Sequence, residues 1–323
     1  MLQNMKNYFN FNLTGKKLLP IWILFLVLFL VPQGIIVFKM QNIKLDIASQ
    51  MLFLLLFILL IIIAFLITFY IAKLSIENVS LRDKSIVFDG TFGKYIGTVL
   101  LGSFLSIITL GIYGPWFMRN INIFFINNSS YNSNSFRFKG EGGKLFLILL
   151  FTLIIPIIII SVIMSFFIIS NLGSINSESV NFGQISTMTV INQLVMILIM
   201  IPYIYLVYKW MVDVEYKNFN ISWKTDFWSS CGKIAIEMIL SIITVGIYVP
   251  LAYLRLYKYF TEKTFAESDE RTIGFGYDID QLNDFLFIWG QLLLMIITLG
   301  IYFPWAFCKI GSRVLGKTYL IEE

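Results

Sequence analysis

The chain has 323 residues, 58% of them hydrophobic, 17% aromatic and only 13% charged, with a mean hydropathy of +0.81 and a net charge of +5. Such a balance excludes a soluble domain of this length and predicts an integral membrane protein. Histidine is absent and there are only two cysteines, Cys231 and Cys308; the commonest general base and zinc ligand are therefore missing, and no disulfide framework or metal pattern is present.

Taken in chain order, the first element is an alternating phrase, "YFNFNLTGKKLL" from Tyr8 to Leu19, followed by an apolar run from Leu18 to Phe38. Lys16 and Lys17 precede that run as in a secretory signal, but its length and the lack of a small-x-small cleavage site predict an uncleaved span. A second run covers Met51 to Ala72. Next comes "SIVFDGTFGKYI" (Ser85 to Ile96) and a run from Tyr95 to Phe117 containing "ITLGIYGPW" (Ile108 to Trp116). The order then recurs: "SFRFKGEGGKLF" (Ser135 to Phe146), runs over Leu145 to Ile169 and Val190 to Tyr208, the weaker phrase "FNISWKTDFW" (Phe219 to Trp228), and a run from Ile234 to Leu254 with "ITVGIYVPL" (Ile243 to Leu251). A last unit has "TIGFGYDIDQLNDFLF" (Thr272 to Phe287) and a run from Phe285 to Phe307 ending in "ITLGIYFPW" (Ile297 to Trp305).

Alternation followed by glycine reads as small strands or hairpins at the membrane surface, each too short to fold alone. Runs of about 20 apolar residues cross a bilayer. The expected organisation is thus one repeat over residues 1–127, a second over 128–265 and a half-repeat over 266–323.

Positive charge sets the topology. If the three motif runs enter and leave on the same side, the 24 basic residues divide 22 against 2; if every run crosses, they divide almost evenly. The expected fold is therefore an α-helical polytopic membrane protein with internal repeats. It has four full spans and three re-entrant or bent motif helices, short β-segments at the cytoplasmic surface, and a cytoplasmic N terminus. Seven full spans remain the alternative. Within the motif, glycine frees φ and proline four residues later removes an amide donor, which makes a bend there physically reasonable.

Several residues are candidates for function. Thr109, Gly111, Tyr113 and Pro115, Thr244, Gly246, Tyr248 and Pro250, and Thr298, Gly300, Tyr302 and Pro304 could line a pore or bend. Threonine can equally bond back to its own helix, and tyrosine is a common interfacial residue, as is tryptophan at Trp116 and Trp305. Glu237 is a candidate for proton or cation coupling, although Lys233 one turn earlier makes an ion pair the plainer reading. Arg119, Arg255, Lys258, Lys309 and Arg313 are candidates for anionic lipid headgroups, or simply fix orientation. "KGEGGKLF" (Lys139 to Phe146) lacks the spacing of a phosphate loop. No nucleophile, base and orienting group can be assembled, so neither an enzyme nor a cofactor is expected, and no basic stripe interleaved with aromatics points to nucleic acid. The expected partner is the lipid bilayer.

The three phrases "LSIITLGIYGPWFMRN", "LSIITVGIYVPLAYLRLYKYFTEKT" and "MIITLGIYFPWAFCKI" resemble the YjgN family of bacterial inner-membrane proteins over nearly the whole chain. The resemblance implies a bacterial inner-membrane location and brings no activity or substrate with it. Leu251 departs from the motif where tryptophan is usual. Two functions follow as expectations: transport of a small neutral or amphipathic solute past the three bends, which is favoured, or a non-transporting scaffold whose cytoplasmic face binds a partner protein or anionic lipid.

Overall fold

The computed structural model describes residues 6–42, 46–172 and 182–322. Within them lie eleven short strands, of which β1, β4, β6, β8 and β10 fall in the alternating phrases: β1 (Lys6–Phe11), β2 (Val79–Leu81), β3 (Lys84–Ser85), β4 (Val87–Phe88), β5 (Ser129–Tyr131), β6 (Asn134–Phe138), β7 (Val214–Tyr216), β8 (Phe219–Trp223), β9 (Thr264–Glu267), β10 (Thr272–Tyr277) and β11 (Thr318–Glu322). All belong to one antiparallel sheet in the order β3-β2-β1-β11-β10-β9-β8-β7-β6-β5-β4. Its two edge strands, β3 and β4, are separated in the chain only by Ile86, whose amide donates to the Val79 carbonyl at 2.9 Å. The sheet therefore curls round until its edges nearly meet, as a barrel.

This overturns the expectation of an α-helical fold carrying only small surface β-segments. The strands are only two to six residues long, and partners such as β1 and β11 lie at opposite ends of the chain. Alternation reveals that a strand exists but not what it pairs with. Local turn chemistry does its part: Arg82 and Asp83, and Asn132 and Ser133, have the paired positive φ angles of a tight hairpin turn that matches strand twist.

Between strands the chain leaves the sheet and returns to it five times. The first excursion is α1 (Gly15–Phe25), a π-helical turn (Leu26–Leu30), α2 (Val31–Asn42) and α3 (Ile47–Glu77). The third has the same plan: α6 (Gly142–Leu149), a π-helical turn (Leu150–Ile154), α7 (Ile155–Leu172) and α8 (Phe182–Met211). Each π-helical turn is followed two residues later by a proline, Pro32 or Pro156, whose missing amide and ring disturb the turn before it. The stretches Gly15–Met40, Ile47–Glu77, Gly142–Phe166 and Val190–Met211 are long and apolar enough to cross a membrane. Lys44, in the link between α2 and α3, lies outside the described residues.

The other three excursions are short hairpins: α4 (Phe92–Ile108) with α5 (Gly114–Asn127), α9 (Phe227–Ile243) with α10 (Val249–Glu262), and α11 (Gln281–Ile297) with α12 (Phe303–Leu315). Each predicted motif run is broken in two at its centre, and both arms end at the sheet. Neighbouring excursions touch in a ring, α3 on α4, α5 on α6, α8 on α9, α10 on α11 and α12 on α1. The core is correspondingly divided into five clusters, each with one strand aromatic over its own helix pair: Phe11, Phe88, Phe138, Trp223 and Tyr277.

Candidate functional site

The three motif breaks share one geometry. Leu110, Val245 and Leu299 have φ near +50°, and the following Gly111, Gly246 and Gly300 have φ of +90°, +86° and +85°. Glycine tolerates that conformation without a side-chain clash. Its amide reaches back five residues, to the carbonyls of Ser106, Ser241 and Met295 at 2.7–2.8 Å. The threonine hydroxyl just before the break donates to a carbonyl one turn back (Thr109 to Leu105, 2.7 Å; Thr244 to Leu240 and Thr298 to Leu294, both 2.8 Å). That hydroxyl also accepts the amide of Tyr113, Tyr248 or Tyr302 at 3.0 Å. Pro115, Pro250 and Pro304 stand in the first turn of the second arm, where no amide donor is needed.

The tips point outward. Leu110, Val245 and Leu299 are 93%, 90% and 90% exposed. Two tip carbonyls are capped by the next excursion: the Trp22 indole donates to Gly300 and the Trp289 indole to Ile247, both at 2.9 Å. The polar groups of the breaks are thus occupied within and between hairpins.

Below the tips of the second and third motif hairpins the motif tyrosine ties the two arms together. Tyr248 donates its hydroxyl to Glu237 at 2.7 Å and accepts from Arg255 at 2.7 Å. In the last hairpin Tyr302 donates to Gln291 at 3.0 Å and accepts from Lys309 at 2.9 Å. Around Tyr113 the same two places hold Gly102 and Asn120; Phe117 packs on the glycine, and the Asn120 amide donates to Tyr113 at 3.3 Å. Glu237 is 1% exposed, and its second oxygen accepts from Lys233 at 2.8 Å. The carboxylate is therefore fully engaged in a bridge that another hairpin builds with an amide.

The basic residues also have partners. Arg119 donates to the Gly140 carbonyl at 3.1 Å, Lys258 pairs with Glu262 at 3.6 Å, and Arg255 reaches Gln281 at 2.9 Å. Arg313 and Lys317 converge on Asp284 at 2.7 and 2.6 Å. Asp284 is 1% exposed and also accepts the Asp280 amide. It lies one residue before the last apolar run, and an acidic residue at a helix head facing two basic residues at the end of the returning helix is the signal that would have found it. Trp116 and Trp305 pack against the heads of the next helices: a Cβ added at Gly142 or Gly15 would lie 2.6 Å from the respective indole. The helix after Leu251 begins with Gln281 instead of glycine, which fits the loss of tryptophan from that copy.

The feature that sequence reasoning missed is inside the sheet. The curled sheet surrounds a partly open cavity of about 410 Å³. Phe219 and Ile221 of β8, Ile273 and Phe275 of β10, Ala266 and Leu320 furnish an apolar wall. Side chains two apart on a strand share a face, so on this same face β8 ends in Trp223 and β10 in Tyr277. At the turn end the lining includes Arg82, Lys84, Lys217 and Arg271, and no acidic residue.

Comparison with known proteins adds the family. The model of a family described as bacterial protein of unknown function (DUF898) matches residues 5–275. Inner membrane protein YjgN of Salmonella typhimurium is 39% identical over 79 residues, 24% of this chain and 20% of that protein. Inner membrane protein YjgN of Escherichia coli is 33% identical over 76 residues, 24% of this chain and 19% of that protein. The matched part thus spans about one fifth of the length of these curated relatives. No solved structure matches the chain. The chain belongs to the DUF898 family of bacterial proteins of unknown function, as its likeness to the YjgN proteins leads one to expect.

Proposed function

We propose that this is a multi-pass inner-membrane protein whose sheet faces the cytoplasm and serves as a binding module, held against the bilayer by its helix pairs. The observation that carries this reading is the apolar cavity of about 410 Å³ inside the barrel, within the roughly 300–1,000 Å³ of small-molecule sites. Three features support the placement. The long stretches Gly15–Met40 and Ile47–Glu77 cross; the short arms, 17 residues or about 25 Å in α4, stop within a core of about 30 Å. Leucine and valine at tips exposed to 90% or more suit lipid and not water. In the sequence only Lys39 and Lys44 stand between the apolar runs of the first long pair and no basic residue stands between those of the second, which supports a cytoplasmic sheet and N terminus.

A transport reading needs a polar path past the tips, and the tip groups direct their hydrogen bonds inward, so binding is the reading favoured here. The test is photo-crosslinking of the full chain in lipid nanodiscs with a diazirine-bearing decanol. Saturable crosslinks on β8, β9 and β10, lost in Ala266→Trp, are expected. Crosslinks confined to the helices at every concentration would overturn the binding module.

A further inference from the structure

We propose that the cavity takes an anionic single-chain amphiphile, its tail among the apolar strand residues and its acid head at the turn end of the barrel. This rests on the binding-module reading and names the ligand class of that site. The lining is divided along its length. Toward the helices it is hydrocarbon and aromatic, with Phe219 and Ile221 of β8 and Ile273 and Phe275 of β10 on the two strands that flank β9. Toward the turns it carries four cations and no carboxylate. Asp83, Asp269 and Glu270 lie in the same turns but do not line the cavity.

Three of those cations rest on neutral groups. Lys84 donates to the Asn132 side-chain carbonyl at 2.8 Å; Lys217 lies 5.5 Å from the centre of the Tyr216 ring, and Arg271 lies 5.2 Å from that of Phe219. Among the described residues none of the three forms an ion pair. This contrasts with Lys6, Lys233, Arg313 and Lys317, each of which has a carboxylate within 4 Å. The buried carboxylates Glu237 and Asp284 are thus each matched by cations, whereas Lys84, Lys217 and Arg271, exposed at the cavity mouth, face no acid and can meet an incoming one. Charge-assisted contacts to a carboxylate or phosphate at that mouth would add to burial of the tail. The turns lie at the end of the strands away from the helices, so a diacyl lipid seated in the bilayer does not present its head there, whereas a dispersed single-chain acid does.

The test uses the full chain in nanodiscs, with diazirine-bearing decanoate as probe and unlabelled decanoate, decyl phosphate and decanol as competitors. Decanoate or decyl phosphate is expected to displace the probe at lower concentration than decanol. Replacing Lys84, Lys217 and Arg271 together by glutamine is expected to weaken the two acids about tenfold while leaving decanol unchanged. The two acids, compared with each other, distinguish a carboxylate from a phosphate ligand. If the triple variant does not fold, Lys217→Gln alone gives the same comparison with a smaller shift. Equal competition by decanol and decanoate, with no effect of the rim variants, would overturn the anionic ligand and leave the binding module standing. If the diazirine-bearing decanol also fails to crosslink the strands, the module itself falls.

Discussion

Two kinds of helix pair depend from one sheet. The long pairs, α1–α3 and α6–α8, carry long apolar stretches with their charged residues near the ends, and widen into π-helical turns ahead of Pro32 and Pro156. Gly34 in the first long pair has nothing within 4 Å of the place a Cβ would take. The short pairs are tightly made: a strained tip, a threonine that both donates and accepts and, in two of the three, a tyrosine bridge between arms. Length explains the contrast. A helix long enough to cross can satisfy its backbone internally and end in water, whereas a short hairpin with an exposed apolar tip must satisfy its amides and carbonyls at the turn itself.

The contrast can be broken by substitution. Gly102→Leu drives a side chain into Phe117 and should cost about 3 kcal/mol, while Gly34→Leu in a long pair should cost almost nothing. Thermal unfolding in detergent measures both, and equal melting points would show that the short hairpin is no more tightly packed than the long one. Thr298→Val leaves the Tyr302 amide without its acceptor, at about 2 kcal/mol. Thr152 in a long pair only donates back to Ile148, so Thr152→Val should be near neutral. Gly300→Ala places a Cβ at φ +85° and should cost about 1–2 kcal/mol.

Smaller effects sharpen the picture. Glu237→Gln should cost about 1 kcal/mol, since an amide at Gln291 already makes the equivalent bridge; a loss several times larger would mean the charge itself matters. The smallest effect lies at the seam both kinds of pair share. Lys6 and Tyr8 of β1 reach Asp278 at 2.8 and 2.6 Å. Burial works to raise the Asp278 carboxyl, and the bonds from Lys6 and Tyr8 outweigh it, holding it below its ordinary 3.8. Because the folded value is depressed, this contribution is present above pH 3.8 and fades as pH falls through the lower folded value. Asp278→Asn should flatten that acid limb of the melting curve.

Much of this was legible in the sequence. Apolar runs gave the spans, because length in hydrocarbon is a one-dimensional property, and "GIYxP" gave the breaks, because glycine and proline act on their own backbone. Lys233 and Glu237 gave their ion pair through helical spacing. What escaped notice is what depends on partners far apart in sequence. The barrel requires β1 to meet β11, the cavity gathers residues of β2, β8 and β10 on one interior, and Asp284 meets Arg313 and Lys317 across a whole hairpin. Trp116 looked like an interfacial anchor because nothing local reveals the bare Gly142 beneath it.

The seam has a consequence for how the molecule is made. β1 lies between β2 and β11, so the earliest strand to be synthesised has one neighbour available soon and must wait for the other until the last of the eleven has left the ribosome. At about 5–20 residues per second, that delay is tens of seconds. Throughout it, the growing sheet carries two open edges, each able to recruit a foreign strand. Ring closure is then the final event of biogenesis, and a chain stalled before Thr318 would be a full set of inserted helices beneath an unfinished barrel.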